Sequence, residues 1–165
     1  MENQKEIKIG GLSLDFELLD TAGNKWRLRE KRGRVLALLF YPGNETLVCT
    51  KQLCSVRDNW QKYVETGAEV IAISPESEYA NIDFSVHHNL PMPILSDPNR
   101  AITKIYGKHR WMPIWTTRAI VVIDAEGYVR YQNIMVRALR PTDDEVIAAI
   151  ELAKYDFLAG RFTAN

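Results

Sequence analysis

The chain is 165 residues long, enough for one domain whose folding buries roughly 70% of the surface its unfolded chain exposes. Apolar residues make up 46% and charged residues 25%, which excludes a disordered chain. Lys plus Arg (21) cancels Asp plus Glu (21), so the basic excess that a general nucleic-acid binder or membrane-surface protein needs is missing. The longest apolar runs, 35–41 and 119–123, fall far short of the ~18 residues of a membrane span. The opening MENQKEIKIG has no apolar stretch resembling a signal peptide. These features predict a single cytoplasmic domain over 1–165, with neither nucleic acid nor membrane as partner.

Apolar alternation at 12, 14, 16 and 18 predicts a short strand over 12–19. The Asp20-Thr-Ala-Gly-Asn turn can return residues 25–28 as its hairpin partner. Residues 25–34 carry six basic side chains and one acidic, read as a solvated rim with docking of an acidic partner as the alternative. The continuous run VLALLFY over 35–41 has the composition of a strand buried on both faces, stopped by Pro42-Gly43-Asn44. Residues 47–65 then change to a helical period, with Cys49, Leu53, Val56, Trp60 and Tyr63 on one face, and Gly67 ends the helix. A buried strand (68–74), a helix (76–88), a short strand (92–95) and a short helix (99–106) follow. Residues 118–124 and 128–133 flank Ala125-Glu126-Gly127 as a β-hairpin, and Thr142 or Asp143 caps a last helix reaching about residue 158. Strands alternating with helices, then an antiparallel hairpin, predict an α/β sandwich with a mixed sheet. Neither GxGxxG nor GxxxxGK[ST] is present, which removes the main support for the two common nucleotide folds.

The chemistry concentrates after residues 35–41. Thr46 is an N-cap candidate, and Cys49 falls in the first helical turn, where free N–H groups and the helix dipole favour a thiolate. Its place at the centre of the apolar face suits an inert core cysteine equally well, so position alone leaves both readings open. Cys54 lies about 140° around the helix and ~7.5 Å along it, which puts the two Cα atoms roughly 8.6 Å apart. A disulfide needs at most ~7 Å. The two cysteines can therefore pair only if the first turns unwind. His87, His88 and His109 have no metal-ligand spacing. Trp111 and Trp115, either side of Pro113, read as packing or as the walls of an entrance.

Pro42-x-x-x-Thr46-x-x-Cys49 matches the PxxxTxxC motif, and the chain resembles the peroxiredoxins of the AhpC/TSA superfamily. Cys49-x4-Cys54 and Cys54-Ser-Val-Arg-Asp58 are similar to the bacterioferritin-comigratory-protein, or PrxQ, subgroup. Asp15-Phe16-x-Leu18-x-Asp20, Leu95-Ser-Asp-Pro98 with Tyr106-Gly107, and Arg118 with Ile123-Asp124-x-x-Gly127 resemble the family's flanking segments. Leu47 stands where the family usually has proline, Gln52 where the subgroup has glutamate, and Ser13-Leu14 where Ala-Pro is usual. The resemblance implies a thioredoxin-like sandwich with a central mixed sheet, flanking helices and an N-terminal β-hairpin. It implies a peroxidase in which Cys49 attacks peroxide and Cys54 resolves the product as a disulfide, re-reduced by thioredoxin or a similar dithiol. Thr46 and Arg118 would be donors to the reacting oxygens and Pro42 would shape the loop. No cofactor or metal is implied, and a monomer or weak homodimer is expected. Without the resemblance, Arg118 reads as an exposed strand-end charge. A thioredoxin-type oxidoreductase and a non-catalytic redox sensor on the same scaffold are the alternatives.

Overall fold

The computed structural model describes residues 6–163 except 45, 109, 110, 114–116 and 137, and gives the backbone alone at 49, 157 and 159–163. Strands β1 (Glu17–Leu19) and β2 (Lys25–Arg27) form an antiparallel hairpin with Leu18 opposite Trp26. Asp20 closes the turn, its Oδ1 accepting the N–H groups of Ala22 and Asn24, both at 2.9 Å. A turn of 3-10 helix (Leu28–Lys31) leads to β3 (Leu36–Phe40), followed by α1 (Leu47–Asp58) and α2 (Trp60–Thr66). Then come β4 (Glu69–Ser74), α3 (Glu78–His87), β5 (Ile94–Ser96) and α4 (Ala101–Tyr106). The chain ends with β6 (Thr117–Ile123), β7 (Val129–Val136) and α5 (Asp143–Thr163).

The seven strands make one sheet in the order β2-β1-β5-β4-β3-β6-β7. β4 runs parallel to β3 and β5, and the remaining pairs are antiparallel, so the sheet is mixed as the element order predicts. Period 2 distributes β3 between two cores: Ala37 and Leu39 face one layer, and Leu36, Leu38 and Phe40 the other. The first layer is completed by Leu53 of α1, Tyr63 of α2, Phe84 of α3 and Ile150 of α5. The second takes Phe16, Trp26 and Tyr106, with Tyr106 stacked on Phe40 at 5.9 Å. Burial pushes the phenols of both Tyr63 and Tyr106 above the ordinary tyrosine range.

The structure departs from the sequence reading in three places. The strand expected over 12–19 pairs only from Glu17. Phe16 is buried and Leu14 packs on the core, but Leu12 is exposed and makes only an isolated bridge to Tyr128. Alternation there reflects packing without a ladder. The helix expected over 47–65 breaks at Asn59, whose backbone (φ -105°, ψ 19°) leaves the helical region while its side chain and its N–H both donate to the Ser55 carbonyl at 3.0 Å. The hairpin expected to end near residue 133 continues to Val136 and carries an irregularity between Val122 and Ile123. The helix caps follow local chemistry more closely. Ser77 Oγ accepts from Ala80 N–H at 3.2 Å, and Gly67 ends α2 with φ 74°, a conformation that favours glycine. At α5, Thr142 N–H donates to Glu145 (2.7 Å) while Glu145 N–H donates to Thr142 Oγ1 (3.2 Å), a reciprocal capping box.

Asp97, buried at the end of β5, anchors α4. Its Oδ1 accepts Ile102 N–H at 3.3 Å, and its Oδ2 accepts the N–H (2.9 Å) and hydroxyl (2.8 Å) of Thr103. Alanine there strands three donors inside the protein, each costing on the order of 1–3 kcal/mol if unmet. Allowing for partial rescue by water, Asp97→Ala is expected to lose about 2–4 kcal/mol, a fall in Tm of roughly 5–15 °C. Differential scanning calorimetry checks this, and a loss below about 1 kcal/mol would show that the donors find other partners.

Candidate functional site

The site lies where β3 ends and α1 begins. Antiparallel pairing sets Phe40 opposite Ala119, so one step further Arg118 comes level with Tyr41, the first residue of the connecting loop. Arg118 is fully buried, which overturns its reading as an exposed strand-end charge. Its Nη1 donates to Oε1 of Gln52, itself buried in α1. Position 52 is one turn beyond Cys49 and about 60° around the helix from it. The guanidinium is therefore aimed at the opening turns of α1, on the side where residue 49 stands.

Thr46 immediately precedes α1, and its carbonyl accepts Thr50 N–H at 2.9 Å, the first bond of a helix whose N-cap is Thr46. Cys49 is the third residue of that helix, and its side chain lies outside the described residues. Pro42 is half-buried within the loop. A polar chain fixes this loop from below. Tyr41 Oη donates to Asn44 Oδ1 (2.7 Å), and Asn44 Nδ2 donates to Ala80 O (3.2 Å) and Asn81 Oδ1 (3.1 Å). Asn81 Oδ1 also accepts from Ser74 Oγ at 2.7 Å. The loop is thus tied to β4 and α3 through half-buried Asn44 and through Asn81, which has no exposed surface. In the sequence Asn44 belongs to the Pro42-Gly43-Asn44 stop after 35–41, and Ser74 and Asn81 lie within an expected strand and helix. No local pattern marks them.

Cys54 is a half-buried free thiol whose Sγ lies 3.9 Å from His88 Nδ1. Arg57 donates to the His88 carbonyl at 2.6 Å and pairs with Asp58 at 2.9 Å. The Asp58 bond is the main cause of the raised Arg57 pKa, and the nearby Cys54 sulfur adds to it. His88 entered the sequence reading only as a rejected metal ligand, and the structure places it beside the second cysteine. Among the described residues no group of three or more His, Cys, Asp and Glu side chains could hold a metal ion. His109 and Trp115 lie outside the described residues, while Trp111 is strongly exposed.

On its far side α1 is fastened to α5. Asp143 accepts from Ser55 Oγ (2.5 Å), Asn59 Nδ2 (3.1 Å) and Tyr63 Oη (2.5 Å). The site as a whole combines a helix N-terminus, a buried cation bonded to the residue one turn beyond 49, and a second thiol five residues on. Such a set can hold a thiolate and place donors around a small polar substrate.

The chain is similar to known proteins in both sequence and fold. Among curated relatives, the chain is 34% identical over 127 residues to the chloroplastic peroxiredoxin Q of Triticum aestivum, covering 76% of this chain and 58% of that protein. It thus spans less than two thirds of that plant protein's length. A peroxiredoxin of Mycobacterium tuberculosis is 32% identical over 144 residues, covering 84% of this chain and 92% of the relative. Among solved structures, peroxidoxin BcpB from Mycobacterium tuberculosis superposes with a TM-score of 0.75 at 25% identity, covering 89% of this chain and 98% of that one. The AhpC/TSA family matches residues 9–132, three quarters of the sequence, and the chain belongs to that family.

Proposed function

We propose that the chain is a thiol-dependent peroxidase acting on hydrogen peroxide and organic hydroperoxides, with Cys49 as the attacking thiol and Cys54 as the resolving one. The Cys49 thiolate attacks one peroxide oxygen. The S–O bond forms as the O–O bond breaks, and the departing oxygen takes a proton and leaves as water or an alcohol. Cys54 then attacks the sulfenic sulfur; the S–S bond forms, the S–O bond breaks, and the hydroxyl leaves with the Cys54 proton as water. A thioredoxin-like dithiol supplies the two electrons that reopen the disulfide. Thr46 and Arg118 donate to the peroxide oxygens, and Pro42 shapes the loop that shields Cys49.

The observation that carries this reading is the buried Arg118–Gln52 contact. A guanidinium withdrawn from water is costly to keep unless it does something there. This one is held against the turn that follows the PxxxTxxC cysteine. A cation held there can steady a thiolate and the departing oxygen, which an inert scaffold does not need.

Reduced protein mixed with hydrogen peroxide in a stopped-flow fluorimeter tests the proposal, read through Trp60, which stacks on Tyr63 just beyond α1. Acid-quenched samples, analysed by mass spectrometry, should contain a Cys49–Cys54 disulfide. Cys54→Ser should keep the oxidation phase and accumulate sulfenic acid at Cys49, with dithiol-supported turnover falling at least tenfold. Oxidation of Cys49 no faster than that of a free thiol defeats the enzyme reading. A fast first phase without the disulfide defeats only the two-cysteine cycle. Reduction of insulin without peroxide would favour the oxidoreductase alternative.

A further inference from the structure

Resolution requires α1 to come apart, because the helix is continuous through both cysteines and an intact helix keeps their Cα atoms roughly 8.6 Å apart. How far it must unwind depends on what holds each end. At the front, Leu47 and Lys51 are exposed, and Gln52 is held by Arg118. Behind Cys54 the restraint is far denser. Ser55, Asn59 and Tyr63 recur every four residues, so they form one stripe along α1 and α2. All three donate to the single carboxylate of Asp143, across the break at Asn59. Asp143 is itself anchored: it opens α5, whose first turn carries the Thr142–Glu145 capping box and whose Val146, Ala149 and Ile150 sit in the core. Cys54 is the last residue before this clamp.

On the two-cysteine reading above, we propose that Asp143 is a positioning residue for the resolving step, acting through Ser55 as a brake on the unwinding that carries Cys54 to Cys49. The Ser55–Asp143 bond must break, or Cys54 must turn about its own backbone against it. The brake lengthens the life of the Cys49 sulfenic acid, during which a second peroxide can oxidise it to sulfinic acid; in that step the sulfur loses two more electrons and the peroxide is reduced to water. The clamp thereby sets how much peroxide the chain survives. The clamp bonds begin at Ser55, beyond both cysteines in the chain, so the first oxidation at Cys49 is expected to keep its rate.

The test compares Ser55→Ala, Asp143→Asn and Tyr63→Phe with the wild-type chain, timing disulfide formation by acid quench and mass spectrometry. Ser55→Ala and Asp143→Asn should close the disulfide about three- to tenfold faster, the effect of losing one hydrogen bond, and should yield less sulfinic acid at a given peroxide dose. Their second-order rate of Cys49 oxidation should stay within twofold of wild type. Tyr63→Phe removes a clamp bond beyond the unwinding segment, so it should lower Tm without accelerating the disulfide. A purely structural clamp would make all three variants alike. Should Asp143→Asn fail to fold, Ser55→Ala alone decides, since it deletes only one hydroxyl. Unchanged or slower closure in Ser55→Ala overturns the brake while leaving the two-cysteine cycle intact. Absence of the disulfide from oxidised wild-type protein overturns both.

Discussion

Serine at position 49 is expected to abolish peroxide turnover, lowering the rate of oxidation by about 10³-fold or more, as loss of the attacking atom does in other nucleophilic enzymes. Two differences between sulfur and oxygen produce this. A hydroxyl is scarcely ionised at neutral pH, and oxygen cannot be carried up the oxidation ladder that a thiolate climbs. Acidity is not the whole advantage of the cysteine. Lowering a thiol pKa from ~8.5 to about 5.5 raises its thiolate fraction at pH 7 roughly 30-fold. The same change lowers intrinsic nucleophilicity roughly 20-fold at a Brønsted slope of ~0.45. The two effects nearly cancel, so on the proposed mechanism a thiolate at the head of α1 gives little speed on its own. Stopped-flow mixing of reduced Cys49→Ser with hydrogen peroxide checks the expectation. A variant keeping more than a tenth of the wild-type rate would transfer the peroxidatic role to Cys54.

What the sequence made legible was whatever is written in neighbouring residues. The VLALLFY run announced a strand buried on both faces, and Leu36–Phe40 is a fully buried interior strand between β4 and β6. Thr46 and Thr142 announced helix starts, because a cap is satisfied within four residues. The motif Pro42-x-x-x-Thr46-x-x-Cys49 was visible for the same reason. The contacts that organise the site are of another kind. Gln52 meets Arg118 across 66 positions, Asn44 meets Asn81 across 37, and Ser55 meets Asp143 across 88. No periodicity links such pairs, and the folded sheet alone decides which amide faces which partner. Arg118 illustrates the limit: an arginine beginning an apolar strand reads as a solvated end, and only the register of β6 against β3 carries it inside. The break at Asn59 was hidden similarly, since a polar residue on the outer face of a long helix is ordinary until its amide turns to the Ser55 carbonyl and Asp143.

If acidity supplies so little, the acceleration must come from holding the O–O bond in line and steadying charge on the oxygen that leaves. Arg118 is the buried cation the site offers for that, and Arg118→Ala is accordingly expected to slow oxidation of Cys49 at least tenfold, the scale of losing one oriented donor. The same substitution strips Gln52 Oε1 of its guanidinium donor inside the protein, a loss of about 1–3 kcal/mol, so rates must be read well below the melting temperature. Destabilisation and catalysis can be told apart by chemistry. Iodoacetamide reacts with the same thiolate but has no O–O bond to polarise. If Arg118 acts on the departing oxygen, the variant should alkylate Cys49 within about threefold of the wild-type rate while its peroxide reaction falls tenfold or more. Equal losses in both reactions would mean that the arginine only secures the thiolate or the helix that bears it. Arg118→Lys gives the intermediate case: it keeps a positive charge but loses the planar fork that reaches Gln52 and an oxygen together, so it should recover only part of the peroxide rate.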